Sequence, residues 1–189
     1  MTFSNRNTER PDIELMIPGD TLPAKAGSTL RQNGWRGGVF VQMAPPEDPD
    51  LFVVEASDGN FAIGFILFAS EDYSVGGPGS NNNYLSTQVR GNHSSAASGA
   101  STITVVSGGA QCLFKIFETT ALTGGGTRTG GSITYSLNEP LKVSENGLLC
   151  NDSDVNLAAA GIAAPIVVGF CIATPIALND FRLGIALKF

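Results

Sequence analysis

The chain has 189 residues, a net charge of −6 and only 15% charged residues, against about 25% in an average soluble protein. With 11 Lys and Arg against 17 acids and no basic run, the composition argues against nucleic acid as a main partner, because neutralising phosphate needs a basic patch. No stretch reaches the roughly 18 apolar residues of a membrane helix, so no membrane partner is expected. The opening "MTFSNRNTERPDIEL" has no apolar h-region, so no signal peptide is expected either.

Residues 1–20 carry few core-type side chains apart from Ile13, Leu15, Met16 and Ile17. They read as an extended N-terminal arm, stiffened by Pro11 and Pro18, that could cross onto a neighbouring subunit; a disordered tail is the plainer reading. Residues 21–189 read as β structure. "GGVFVQMA" and "LFVVEAS" are short β-rich runs separated by "PPEDPD". "NFAIGFILFAS" is a near-continuous apolar run, which suits a strand buried on both faces.

Two Gly-rich stretches, 74–83 and 123–131, read as mobile linkers, and 91–101 is a third, small polar stretch. They bracket 84–122 as an inserted β segment. Within it, "STITVVSGG" and "AQCLFKIFETT" read as a hairpin across Gly108-Gly109. "GSITYSLN" alternates, with Ile133, Tyr135 and Leu137 on one face. "NLAAAGIAAP" offers a turn or two of helix before Gly161 and Pro165. "APIVVGFCIAT" is a further strand. In "NDFRLGIALKF" Phe181, Leu183, Ile185, Leu187 and Phe189 alternate to the last residue, a strand expected to complete a barrel. The fold expectation is all-β: a small barrel or sandwich of antiparallel strands with Gly-rich loops and very little helix, residues 132–189 forming a barrel-like C-terminal half.

The two halves echo each other. "FAIGFILFAS" and "PIVVGFCIAT" both hold a Gly-Phe step (Gly64-Phe65, Gly169-Phe170), and each follows a Lys with a Gly/Ser-rich turn, "LPAKAGSTL" and "EPLKVSENGLL". A glycine inside a strand marks a bulge or a close backbone approach.

Chemistry is hard to build from these residues, and no catalytic or cofactor-binding residue is assigned. The single histidine, His93, sits in the polar stretch "RGNHSSAAS" and reads as a surface residue. No GxSxG, GK[ST] or GxGxxG occurs. Cys112, Cys150 and Cys171 have apolar neighbours and read as small core hydrophobes. In "NDSDVN", Asp152, Asp154 and Asn156 match the first oxygen positions of a calcium loop. Leu157 and Ala163 stand where that loop needs Gly and Glu, which excludes an EF-hand. A looser ion site at Asp152 and Asp154 stays open beside a plain acidic turn, and no metal ligand is assigned. Glu47, Asp48 and Asp50, and Glu71 with Asp72, are carboxylate groups that a hydrolase could use only at a spacing of about 5–10 Å. The sequons at Asn92 and Asn151 need a secretory route and read as incidental.

Residues "EPLKVSENGLLCN", "APIVVGFCIATP" and "NDFRLGIALKF", with Val167, Val168 and Gly169 as a V-V-G step, resemble the small β-domain of tailed-phage capsid decoration, or cement, proteins. Through the internal echo the resemblance extends to residues 18–70. The turn after the V-V-G strand departs from the family pattern: it is "PIALND" rather than Gly-rich. The resemblance implies a non-enzymatic virion protein, made in the host cytoplasm, that binds the outer surface of an icosahedral capsid as a homotrimer. It would clamp neighbouring major capsid subunits, with no cofactor. The alternatives are another phage component (tail, baseplate or fibre base), a carbohydrate-binding sandwich, for which Trp35 is the only tryptophan, and a hydrolase. Low charge itself suits a chain that buries surface against partners.

Overall fold

The computed structural model describes residues 13–33, 37–45, 53–67 and 102–188. Its strands are β1 (Ile13–Ile17), β2 (Asp20–Ala26), β3 (Phe40–Met43), β4 (Val53–Ala56), β5 (Gly64–Ile66), β6 (Thr102–Gly108), β7 (Gln111–Phe114), β8 (Pro140–Val143), β9 (Leu149–Cys150), β10 (Val167–Ala173) and β11 (Leu183–Leu187). The helices α1 (Ser28–Asn33) and α2 (Asp154–Ala159) are six residues each. The all-β expectation holds, and no helix among the described residues is long and apolar enough to cross a membrane.

The strands form two sheets. An antiparallel six-stranded sheet runs β1-β7-β11-β10-β8-β9. A closed barrel runs β2-β4-β3-β5-β6, with β6 returning to β2 and one parallel pair, β2 with β4. The barrel therefore comes from residues 20–108, whereas 132–188 supplies β8 to β11 of the open sheet. The last strand does not close the barrel as its alternation suggested. It lies inside the six-stranded sheet between β7 and β10, with Leu183, Ile185 and Leu187 in the core and Phe181 63% exposed.

The Gly108-Gly109 hairpin is also corrected. β6 pairs with β2 in the barrel, and β7 pairs with β1 in the sheet. The pairs run from Lys25↔Thr102 to Asp20↔Gly108 and on from Ile17↔Gln111 to Ile13↔Phe114. The two strand pairs are thus one long antiparallel ribbon, bent once, which gives its ends to different sheets. The bend is where a side chain cannot fit: a Cβ on Gly19 would lie 1.8 Å from the Gly108 carbonyl oxygen, and Gly109 sits at φ +64. A strand that changes sheets needs such a corner. The segment expected as an insertion contributes β6 and β7 to the two sheets, while 84–101 lies outside the described residues. Of the expected arm, Ile13–Ile17 forms β1 at the sheet edge and β2 begins at Asp20; residues 1–12 lie outside.

Alternation sets the two cores. Ala24, Ala26, Val41, Val54, Ile66, Ile103 and Val105 fill the barrel. Their neighbours Phe40, Phe65 and Val106 point outward and pack on the inner face of the sheet. β5 is accordingly buried along its whole length, as its apolar run predicted. Phe40, Phe65 and Phe114 meet at the junction, with ring centroids 4.9–6.1 Å apart. Gly64 and Gly169 both sit at close backbone approaches, where a Cβ would come within 2.2 Å of the carbonyl oxygens of Val106 and Ala186. Gly169 also adjoins a register shift between β10 and β8. The echo ends at the next residue: Phe65 is fully buried and Phe170 is 43% exposed.

Candidate functional site

Two side-chain clusters stand out from the sheet framework: a buried ionic cluster and an apolar groove. The first is built around Arg128, in the middle of "TGGGTRTGG". Its guanidinium donates to both carboxylate oxygens of Glu145 (2.7 and 3.0 Å), to Asp152 Oδ2 (3.0 Å) and to the Thr120 carbonyl (2.8 Å), with Glu118 at 3.2 Å. Burial works against the guanidinium charge, but the hydrogen bond to Glu145, the charge of Glu118 and the bond to Asp152 outweigh it and raise the pKa. Glu118 also accepts from Ser144 Oγ and Asn146 Nδ2. Asp152 Oδ1 accepts from the Leu122 amide. The expected mobile linker 123–131 is therefore pinned to the β8–β9 hairpin by its one charged residue. Gly126, at φ +73, fits it against the backbone of Ala159.

The same bonds account for the calcium-like spacing. Asp152 is held by Arg128. Asp154 takes Lys142 Nζ at 2.6 Å, and that ammonium also donates to the Asp152 carbonyl at 3.0 Å. Asn156 donates from Nδ2 to the Leu122 carbonyl, and Ser153 Oγ caps α2 at the Asn156 amide. Both carboxylate oxygens of Asp152 and Oδ1 of Asp154 are thus engaged by the chain's own cations and amides. Asn151 is tied through Nδ2 to the Thr134 carbonyl and Glu139. Cys112, Cys150 and Cys171 are buried free thiols. Burial pushes Cys112 and Cys150 up to about 12 and raises Cys171, which leaves them inert rather than nucleophilic. His93, Glu47, Asp48, Asp50, Glu71, Asp72, Asn92, Trp35 and the stretch 74–83 lie outside the described residues.

The second cluster is a groove of about 480 Å³ between residues 132–135 and the end of the β10–β11 hairpin. It opens where a strand ladder separates. Asn138 N donates to the Cys171 carbonyl, and Cys171 N to that of Glu139. Past that point the two segments part, and Phe117, Ile133 and Tyr135 are among the residues that line the gap. Thr119, Ser132, Thr134 and Thr174 also line it. Tyr135, itself buried, packs edge-on against Phe117 and donates its hydroxyl to the Glu118 carbonyl at 2.6 Å.

Backbone groups freed by the separation are capped by side chains. Glu139 Oε1 accepts from the Ser136 amide at 2.8 Å, and Asn151 donates to the Thr134 carbonyl at 2.8 Å. On the opposite lip Asn179 donates to the Thr174 and Arg182 carbonyls and accepts from the Ile176 and Arg182 amides. These four bonds brace the loop "TPIALNDFR". Within it Ala177–Asn179 is a 3-10 turn, closed by Phe181 N to the Ile176 carbonyl and Asp180 N to that of Ala177. The pattern is a Schellman closure, which favours glycine in the left-handed position. Here Asp180 and Phe181 both sit at φ +56. A left-handed phenylalanine is strained by about 1–2 kcal/mol, and the result is display: Ile176 is 49%, Leu178 92% and Phe181 63% exposed.

Sequence reading did not anticipate either cluster. "GSITYSLN" forms only the bridge Thr120↔Ser132 rather than a strand, and Leu137 points away at 60% exposure. The one available signal was "PIALND", the turn that departs from the decoration-protein pattern, and it is this turn that forms the braced apolar loop.

The fold and site together define an all-β protein with a barrel packed on a sheet and an apolar, side-chain-capped groove. Comparison with family models, curated proteins and solved structures finds no match.

Proposed function

We propose that this chain is a non-enzymatic structural protein of a viral particle. In this reading it binds the outside of an icosahedral capsid, as a homotrimer, and clamps neighbouring major capsid subunits. The observation that carries the reading is the braced loop Thr174–Arg182, which holds three large apolar side chains in water beside an apolar groove. Monomeric proteins seldom expose contiguous apolar surface unless it serves an interaction. The ionisable groups around Arg128 are meanwhile committed to internal bonds. The resemblance to decoration proteins in "EPLKVSENGLLCN", "APIVVGFCIATP" and "NDFRLGIALKF" supports the capsid as the partner. Many copies on a shell gain by multivalency, so that each contact can be modest.

The test is cosedimentation with assembled shells of the virus that carries this sequence, and with its unassembled coat protein. Binding to shells alone is expected. A folded protein that binds neither overturns the reading, and its recovery in purified tails would point instead to a tail or baseplate component. A carbohydrate-binding role has one observation in its favour, the exposed Phe181 in a groove also lined by Thr119, Ser132, Thr134 and Thr174. A glycan array decides it, since retention of defined sugars that is lost in F181A would replace the capsid reading.

A further inference from the structure

We infer that Asn146-Gly147 is a self-modification site: the folded chain holds it silent, and its conversion would break the ionic cluster that guards it. The chemistry is deamidation. Gly147 N attacks Asn146 Cγ, its proton passes to water, and the Cγ–Nδ2 bond breaks to release ammonia. Water then adds to one carbonyl carbon of the cyclic imide. The ring C–N bond opens, the nitrogen takes up a proton, and Asp or isoAsp remains. An asparagine followed by glycine favours this route, because glycine puts no side chain in the way and reaches backbone angles that other residues avoid.

Both residues are fixed by the fold. Gly147 sits at φ +72, and a Cβ there would lie 3.0 Å from the Phe40 carbonyl oxygen and 3.2 Å from that of Ser57. Its own carbonyl accepts from Phe40 N at 2.8 Å, so the turn between β8 and β9 is seated on the barrel. Asn146 is equally committed. Its Nδ2 donates to Glu118 Oε1 at 2.9 Å and to Glu145 Oε1 at 3.2 Å, the two glutamates that also hold Arg128. An uncharged side chain with two N–H donors on one nitrogen suits a point between two carboxylates.

The same contacts withhold the reaction. Gly147 N is not free to attack, since its N–H donates to the Ser144 carbonyl at 3.0 Å. The amide that would leave is held by both glutamates, and Asn146 N donates to Ser144 Oγ at 3.1 Å. Asn146 is exposed, so water for the second step is at hand once the turn opens. The product inverts the side chain's role. It puts a carboxylate in place of a double donor, within reach of Glu118 and Glu145. Arg128 would then serve four carboxylates, Asp152 included, while Lys142 stays with Asp154. Conversion thus weakens the attachment of 123–131 and makes a transient opening permanent. This goes beyond the proposed function and holds whatever the chain binds.

Peptide mass spectrometry of the whole chain, incubated at mildly alkaline pH with and without guanidinium chloride, tests it. The chain's other Asn-Gly pair, Asn33-Gly34, is the reference in the unfolded chain, where both pairs should convert alike. In the folded chain, conversion at Asn146 is expected to be more than about tenfold slower than in denaturant. R128K should speed it more than F114L, because the first loosens the cluster and the second lowers stability at the aromatic junction. N146D mimics the product. Its urea midpoint should fall below that of N146A, since alanine only removes the donors and aspartate also adds a charge. Conversion as fast in the folded chain as in denaturant, equal effects of R128K and F114L, or N146D as stable as N146A each overturns the inference.

Discussion

Arg128 and Glu145 face each other through two parallel hydrogen bonds, Nε to Oε1 at 2.7 Å and Nη2 to Oε2 at 3.0 Å. This forked pair ties a glycine-rich loop to the turn between β8 and β9. The same guanidinium reaches Asp152, whose side chain is 3% exposed. Removing it leaves buried carboxylates without their cation. R128M is expected to lower unfolding stability by about 3–5 kcal/mol, and R128K by less, since an ammonium keeps the positive charge although it cannot make the fork. Urea unfolding at constant m-value measures both.

The aromatic junction makes a second prediction. Phe114 is the sheet's contribution to a triad whose other members come from the barrel. F114A is expected to cost about 3–5 kcal/mol and to weaken near-ultraviolet dichroism. A larger loss is expected at Phe114 than at half-exposed Phe170, where F170A should stay within about 1 kcal/mol.

Gly64 and Gly169 test the two close backbone approaches. An alanine at either position meets a carbonyl oxygen, not a flexible side chain. G64A and G169A are each expected to cost about 1–3 kcal/mol, the range for forcing extra atoms into a packed interior. Gly109, with nothing near its Cβ direction, should show only the smaller cost of its positive φ when changed to alanine. Thermal unfolding of the three variants ranks them.

Alkaline stability follows from the buried acids. Burial raises Cys112 and Cys150 from 9.0 to about 12. Burial first, then the nearby negative charges, raises Tyr135 above 10.0. A raised pKa means that the folded state keeps a proton which the unfolded chain releases. The stabilisation is complete below about pH 9 and is lost as pH rises toward the folded values. Urea midpoints should therefore hold from about pH 7 to 9 and fall above that. Y135F should flatten the fall above about pH 10, at a cost near neutral pH of about 1 kcal/mol for the lost bond to the Glu118 carbonyl.

Loop bracing can be separated from loop display. N179A removes four hydrogen bonds to backbone and is expected to lower stability by about 1–3 kcal/mol, while L178D should leave it nearly unchanged because Leu178 is 92% exposed. Differential scanning calorimetry checks both. Equal losses would mean that Leu178 packs on its own chain.

Strand identity was legible in the sequence where apolar residues alternate or run together. β3, β4, β6, β10 and β11 fall within their predicted runs, and the doubly buried β5 follows from the absence of polar residues in "AIGFIL". The glycines at 64 and 169 were legible because an unsubstituted strand position has few other reasons to exist. The three cysteines were legible from their apolar neighbours. These features depend on local sequence, through the period of the backbone and the cost of burying polar groups.

Which strands pair was decided by tertiary structure alone. Gly108-Gly109 permits a reversal or a bend, and only the partners β2 and β1 on either side select the bend. "NDFRLGIALKF" specifies a strand with one apolar face, but not whether that face closes a barrel or sits mid-sheet. "TGGGTRTGG" has the composition of a linker, and its order comes from three carboxylates distant in sequence that converge on Arg128. The groove is likewise absent from any one segment, because it exists where two chains part and Asn151, Glu139 and Asn179 satisfy what the parting exposes. Alternation fixes which face of a strand is apolar; the choice of partner rests on contacts between residues far apart in the chain, whose sum local pattern does not encode.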